Sequence, residues 1–164
     1  IGEGLIDRYI LARYISLIGA ILLGVIYFLF YYYAVTYIIS IITDIPFKRI
    51  QKVQIYVIPT LLLFNFLEFI IFSIIQFVPL FSPFSIAAIV AQFTPNLWVL
   101  YFFNQIACST VITILIHYTF LAQWIDEGRK SLLIKLIAVQ IFLAAMVATF
   151  STSPFIEWIE RGLS

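Results

Sequence analysis

"VQIYVIPTLLLFNFLEFIIFSIIQFV", Val53 to Val78, holds a single charged side chain, Glu68, within an otherwise apolar and aromatic run. At the ~1.5 Å rise of an α-helix this run exceeds the ~30 Å hydrocarbon core of a bilayer, so it reads as a spanning helix with an acid near its middle. Three further stretches, 15–43, 98–124 and 131–150, pass the same test of about 18 apolar residues. Hydrophobic residues make up 64% of the 164-residue chain and charged ones only 10%, and the mean hydropathy is +1.13. That balance excludes an ordinary soluble domain. The expected fold is all-α: a polytopic integral membrane protein, one domain over 1–164, with four transmembrane helices.

The connectors fit this reading. Asp44-Ile45-Pro46-Phe47-Lys48-Arg49 and Asp126-Glu127-Gly128-Arg129-Lys130 place polar and helix-breaking residues where the chain must turn in water. With alternating helix directions both connectors share one side, together with Lys48, Arg49, Lys52, Arg129, Lys130 and Lys135. Arg8, Arg13 and Arg161 fall on the other side. Six cations against three place connectors 44–52 and 125–131 inside and both termini outside by the positive-inside bias. Trp98 and Trp124 bracket the third stretch as interfacial anchors would.

Between the second and third stretches, "PLFSPFSIAAIVAQFTPN" (79–96) carries no charge and has prolines at 79, 83 and 95. Its centre, 84–93, is too short to span. A short interfacial or re-entrant helix is expected there, read first as a lid on the bilayer surface and alternatively as a half-helix lining a cavity. Leu5, Ile6, Tyr9 and Ile10 near the start, and Phe155, Ile156, Ile159 and Leu163 near the end, read as short amphipathic helices.

Two polar stripes interrupt the apolar surface. Asn65, Glu68 and Gln76 fall within about 80° of one another at 100° per residue. Gln105, Ser109, Thr113 and His117 follow at i+4 steps on the third stretch, with Asn104 and Thr110 nearby. Lipid offers polar groups no partner, so the two stripes are expected to face each other. Counting from segment centres puts Glu68 level with Tyr27 or Tyr31, Ser109 or Thr110, and Gln140, and these are its expected hydrogen-bond partners. His117 sits about 10 Å nearer the inside face on the same count. Tyr27 and Tyr31 belong to an aromatic cluster that either packs or flanks a ligand. Ala20 and Gly24, and Ala144 and Ala148, form small-xxx-small steps that let helices approach closely.

The residue inventory removes several functions. One histidine cannot supply a bis-histidine haem, and one cysteine leaves too few ligands for zinc. No P-loop, dinucleotide-binding, GxSxG or HExxH pattern is present. A net charge of +1 gives no basic surface for nucleic acid. A self-contained enzyme is therefore not the expectation. The first expectation is a non-catalytic membrane subunit that supports a larger respiratory or transport complex, with lipids and other membrane subunits or further copies as partners. A small transporter or proton/ion-conducting oligomer using Glu68 is the second. A quinone- or lipid-handling enzyme subunit using His117 and the first-stretch tyrosines is the third. The topology makes one prediction: single cysteines at Ser85 and Ser131, with Cys108 replaced, label from opposite faces of a sealed vesicle. Labelling from the same face would contradict four spans.

Overall fold

The structure, a computed structural model, describes residues 14, 18–19, 21–22, 24–75, 81–125 and 128–153. Every regular element among them is helical, apart from one isolated bridge between Ser85 and Ala107. The helices are α1 (Gly24–Thr43), α2 (Phe47–Ile75), the one-turn α3 (Ala87–Val90), α4 (Leu97–Asn104), α5 (Cys108–Leu121) and α6 (Arg129–Ser151). Three of these, α1, α2 and α6, are long and apolar enough to cross a membrane. Gln76 and the amphipathic ends read from the sequence lie outside the described residues.

The third stretch differs from its expected form. Instead of one helix over 98–124, the chain forms α4 and α5, and Gln105, Ile106 and Ala107 between them leave the helical path. Ala107 is fully extended (φ −115°, ψ 169°). No proline or glycine causes this break, so its origin is tertiary.

α1 and α2 form a tight hairpin. Asp44 ends α1 with φ 57°, the left-handed conformation that closes helices. The Ser40 hydroxyl donates to the Ile45 carbonyl at 2.6 Å across the turn. Only residues 44–46 are non-helical, where 44–52 was expected, because Pro46 fixes a helical φ and its carbonyl accepts from the Arg49 and Ile50 amides. Lys48, Arg49 and Lys52 consequently lie exposed on the first two turns of α2.

Four helices share the apolar core. Val35 and Ile39 of α1 meet Ile50, Val53, Val57 and Leu61 of α2, Leu121 of α5, and Leu132, Leu136, Val139 and Leu143 of α6. The i, i+3/i+4 spacing on α2 and α6 gives each a single buried face. Their other faces are equally apolar and exposed: Ile74 of α2 is 75% exposed and Ile134 of α6 is 68%. Ala144 and Ala148 are buried, and the Trp98 indole N–H donates to Thr149 at 3.2 Å, so this small-residue face packs on α4. Trp98 thus ties two helices together, whereas a Cβ at Gly24 would meet open space. Trp124 lies under the Arg49 guanidinium, 6.0 Å from the ring centroid, which pins the end of the third stretch beside the hairpin.

Ser85 is buried, so of the residues near it the exposed Gln92 is the better position for the topology label. The hairpin supplies its own prediction. Asp44→Gly should leave unfolding in detergent unchanged or raise its midpoint slightly, while Asp44→Val should destabilise by about 1–2 kcal/mol, since a β-branched residue resists the left-handed region. Equal midpoints for the two variants would show that the turn is not held there.

Candidate functional site

Glu68 lies about six turns into α2, on the same side as Leu61 and Asn65, and is half-buried. Its Oε1 accepts a hydrogen bond from the Ser82 hydroxyl. The partner is therefore neither Gln140, Ser109 nor a tyrosine, as the depth count proposed, but a serine from the uncharged loop. The loop is shaped to deliver it. Ser82 Oγ also accepts from the Phe84 amide at 3.2 Å, and the Ser85 hydroxyl donates back to the Ser82 carbonyl at 2.8 Å, closing a small serine turn around Pro83.

That turn docks onto the break between α4 and α5. The Ile86 amide donates to the Ile106 carbonyl at 3.2 Å, and the Cys108 amide donates to the Phe84 carbonyl at 3.1 Å. These two bonds flank the Ser85–Ala107 bridge. Asn104, the last residue of α4, holds the loop from the other side: its Oδ1 accepts from the Ser82 amide at 2.8 Å and lies 3.1 Å from the Ser85 hydroxyl, whose single proton it shares with the Ser82 carbonyl. Two irregular segments thus satisfy each other's backbone groups, as an apolar surrounding demands.

A cavity of about 160 Å³ opens at this junction. Of the residues singled out from the sequence, it brings together Glu68, Asn65, Gln105, Ser109, Tyr27 and Tyr31, with Ser82, Asn104 and Thr110 beside them. An adjoining cavity of about 340 Å³ shares Tyr27, Tyr31, Gln105 and Thr110 with it and contains Gln140, so Gln140 stands next to the Glu68 site, not in it. The tyrosine rings pack with centroids 4.7 Å apart, and Tyr31 sits in a π-helical turn of α1, Phe30–Val35, a distortion often found at functional positions.

Thr113 and His117 line neither cavity. Both are buried, with His117 only 1% exposed, and its Nδ1 lies 3.0 Å from the Thr113 carbonyl. The structure therefore separates His117 from the tyrosines with which it was grouped. Ser82 was missed because a serine before a proline in a loop reads as turn chemistry. Its one signal was the absence of any charge from 79–96.

Chemically, the described residues of the first cavity offer one carboxyl group, hydroxyls, carboxamides and phenols, and include no Lys or Arg. Such a set suits a proton, a small cation or a hydrogen-bond donor, and gives an anion no counter-charge. Among the described residues no group of three His, Cys, Asp or Glu side chains comes together to hold a metal. Comparisons with protein-family models, curated proteins and solved structures find no match to this chain.

The junction predicts its own energetics. Asn104→Ala removes the acceptor of the Ser82 amide and should cost about 1–3 kcal/mol, the range for leaving a backbone donor unpaired. Glu68→Ala should cost about 1–2 kcal/mol, the scale of one intramembrane hydrogen bond, while Glu68→Gln should stay close to the original protein. Reversible unfolding in mixed micelles measures all three, and an Asn104→Ala protein as stable as its parent would contradict the docking described.

Proposed function

We propose that this chain is a small membrane transporter or conducting protein in which Glu68 receives a proton or small cation at a discontinuous third span. The carrying observation is that the only acid inside the apolar stretches lies beside a helix break and a polar cavity. Non-helical backbone at membrane depth is tolerated where it lines a cavity or is buried in protein, and broken helices of this kind hold the ion sites of many transporters.

In this reading four spans cross the bilayer. The eight residues of α4 and the fourteen of α5 give roughly 12 and 21 Å at ~1.5 Å per residue, each too short alone and together sufficient for a ~30 Å core. Residues 81–96 form a re-entrant loop entering from the outside, and connectors 44–52 and 125–131 face the inside with the larger share of Lys and Arg. Glu68 is the residue that takes up the transported charge. Ser82 orients it, and Asn104 positions the loop.

A supporting role within a larger membrane complex is the second reading. Its basis is the short connectors and the apolar faces of α2 and α6, which suit other membrane subunits or further copies as well as they suit lipid.

Reconstitution separates the two readings. In vesicles enclosing a pH-sensitive dye, with proton or alkali-cation gradients imposed, the protein should raise the flux above that of empty vesicles. Glu68→Gln should reduce it about tenfold or more, equivalent to a barrier higher by about 1.4 kcal/mol. Flux that is indistinguishable from empty vesicles, with stoichiometric partner chains in native mass spectra of the membrane extract, would overturn transport in favour of the supporting role.

A further inference from the structure

Between the Glu68 cavity and the hairpin lies a group of polar side chains that the proposed site does not use. Thr36 of α1, Gln54 of α2, and Thr113 and His117 of α5 are each at most 1% exposed. Five of their atoms, Thr36 Oγ1, both amide atoms of Gln54, Thr113 Oγ1 and His117 Nε2, have no hydrogen-bond partner among the described residues. Buried polar groups are almost always paired, with protein or with ordered water, and an interior built only for packing would place apolar residues here.

Their placement continues the cavity's own surfaces. On α2, Gln54, Val57, Leu61, Asn65 and Glu68 follow at i+3/i+4 steps, and Leu61 already lines the cavity. On α5, His117 and Thr113 lead by single turns to Ser109 and Thr110, which line it too. The Tyr56 ring stacks on Phe120 with centroids 5.1 Å apart, which sets the register of α2 against α5. Gln54 stands two residues below Tyr56 and His117 three above Phe120, so they differ in depth by about 7–8 Å at ~1.5 Å per residue. Thr36 matches Gln54 in depth, each seven residues from the hairpin turn that ends α1 at Thr43 and starts α2 at Phe47. His117 Nδ1 is engaged by the carbonyl of its own helix, which leaves Nε2 for a partner in the packed interior.

We propose that Thr36, Gln54, Thr113 and His117 hold a short chain of bound water on the hairpin side of the Glu68 cavity, and that this water serves the proton on its way to Glu68. Five unpaired atoms match the capacity of roughly two or three waters at two to four bonds each. No direct bond joins the Gln54 and His117 side chains, and a water-mediated link suits their offset along the helices. The part of the proposal that concerns proton delivery rests on the reading of Glu68 as the transported-charge site. The bound water does not.

His117 is the only histidine of the sequence, so protein made with ¹⁵N-histidine, ¹⁵N-glutamine and ¹³C-methyl valine and leucine, with a purification tag free of histidine, gives a single imidazole signal. In lipid bilayers, magnetisation passed from water to protein should reach the His117 imidazole far sooner than the methyl groups of Val57 and Leu121. Gln54→Leu should delay it. Arrival as slow as at those methyls, or a direct coupling between Nε2 and the Gln54 amide, would overturn the water chain. Thr113→Val then tests delivery in the vesicle assay. Loss of proton flux with Glu68 intact supports it, and unchanged proton flux in Thr113→Val alongside loss in Glu68→Gln rejects it while leaving the Glu68 reading standing. Unchanged flux in Glu68→Gln rejects that reading and delivery together, and the water signal still decides the site at His117.

Discussion

Everything at the centre of this protein depends on how two stretches of non-helical backbone satisfy each other. A helix interrupted among apolar neighbours exposes amides and carbonyls that lipid cannot solvate. Here the residues between α4 and α5 give their exposed groups to the loop at Phe84 and Ile86, and the loop gives its own in return. Asn104 and Ser82 complete the exchange with side chains, and Glu68 is the point where α2 joins it. The acid in the middle of an apolar helix is thus part of the fastening that makes an irregular junction tolerable.

The same requirement organises the rest of the fold. Apolar residues lie both inside and outside, so burial alone does not assign faces to the helices. Polar residues do. Asn65 and Glu68 of α2 line one cavity with Ser109 and Thr110 of α5, where each has polar neighbours that lipid would not provide, and apolar contacts join α1, α2, α5 and α6 beside it. Tyr27 and Tyr31 join the cavity because α1 is tied to α2 by a turn only three residues long, which leaves it little choice of neighbour.

Much of the site could be read in advance because ionisable and amide groups in an apolar run are rare and have few tolerable positions. Glu68, Asn65, Gln105 and Ser109 come together with Tyr27 and Tyr31 for this reason. His117 and Thr113 shared the helical stripe but fall below the cavity, since i+4 spacing fixes a face and leaves open how far along it a cavity extends. Ser82 and Asn104, which hold the junction, gave little warning: one is an ordinary turn residue and the other looks like a polar position in a continuous span. Thr36 and Gln54 were hidden by their proximity to the hairpin, where polar residues need no explanation.

What the sequence determined by itself is the all-helical class of fold and three apolar helices long enough to cross a membrane, because hydrophobic length is a local property. The tight turn at Asp44 and Pro46 could also be placed there, since proline fixes its own φ and aspartate tolerates the left-handed region that closes a helix. The break in the third stretch was decided only by tertiary structure. Residues 97–121 contain neither proline nor glycine, so nothing in their own backbone chemistry requires a break. They are divided because the amides and carbonyls of 84–86 compete for the same partners across the junction, and that competition exists only once the loop and the helix lie side by side.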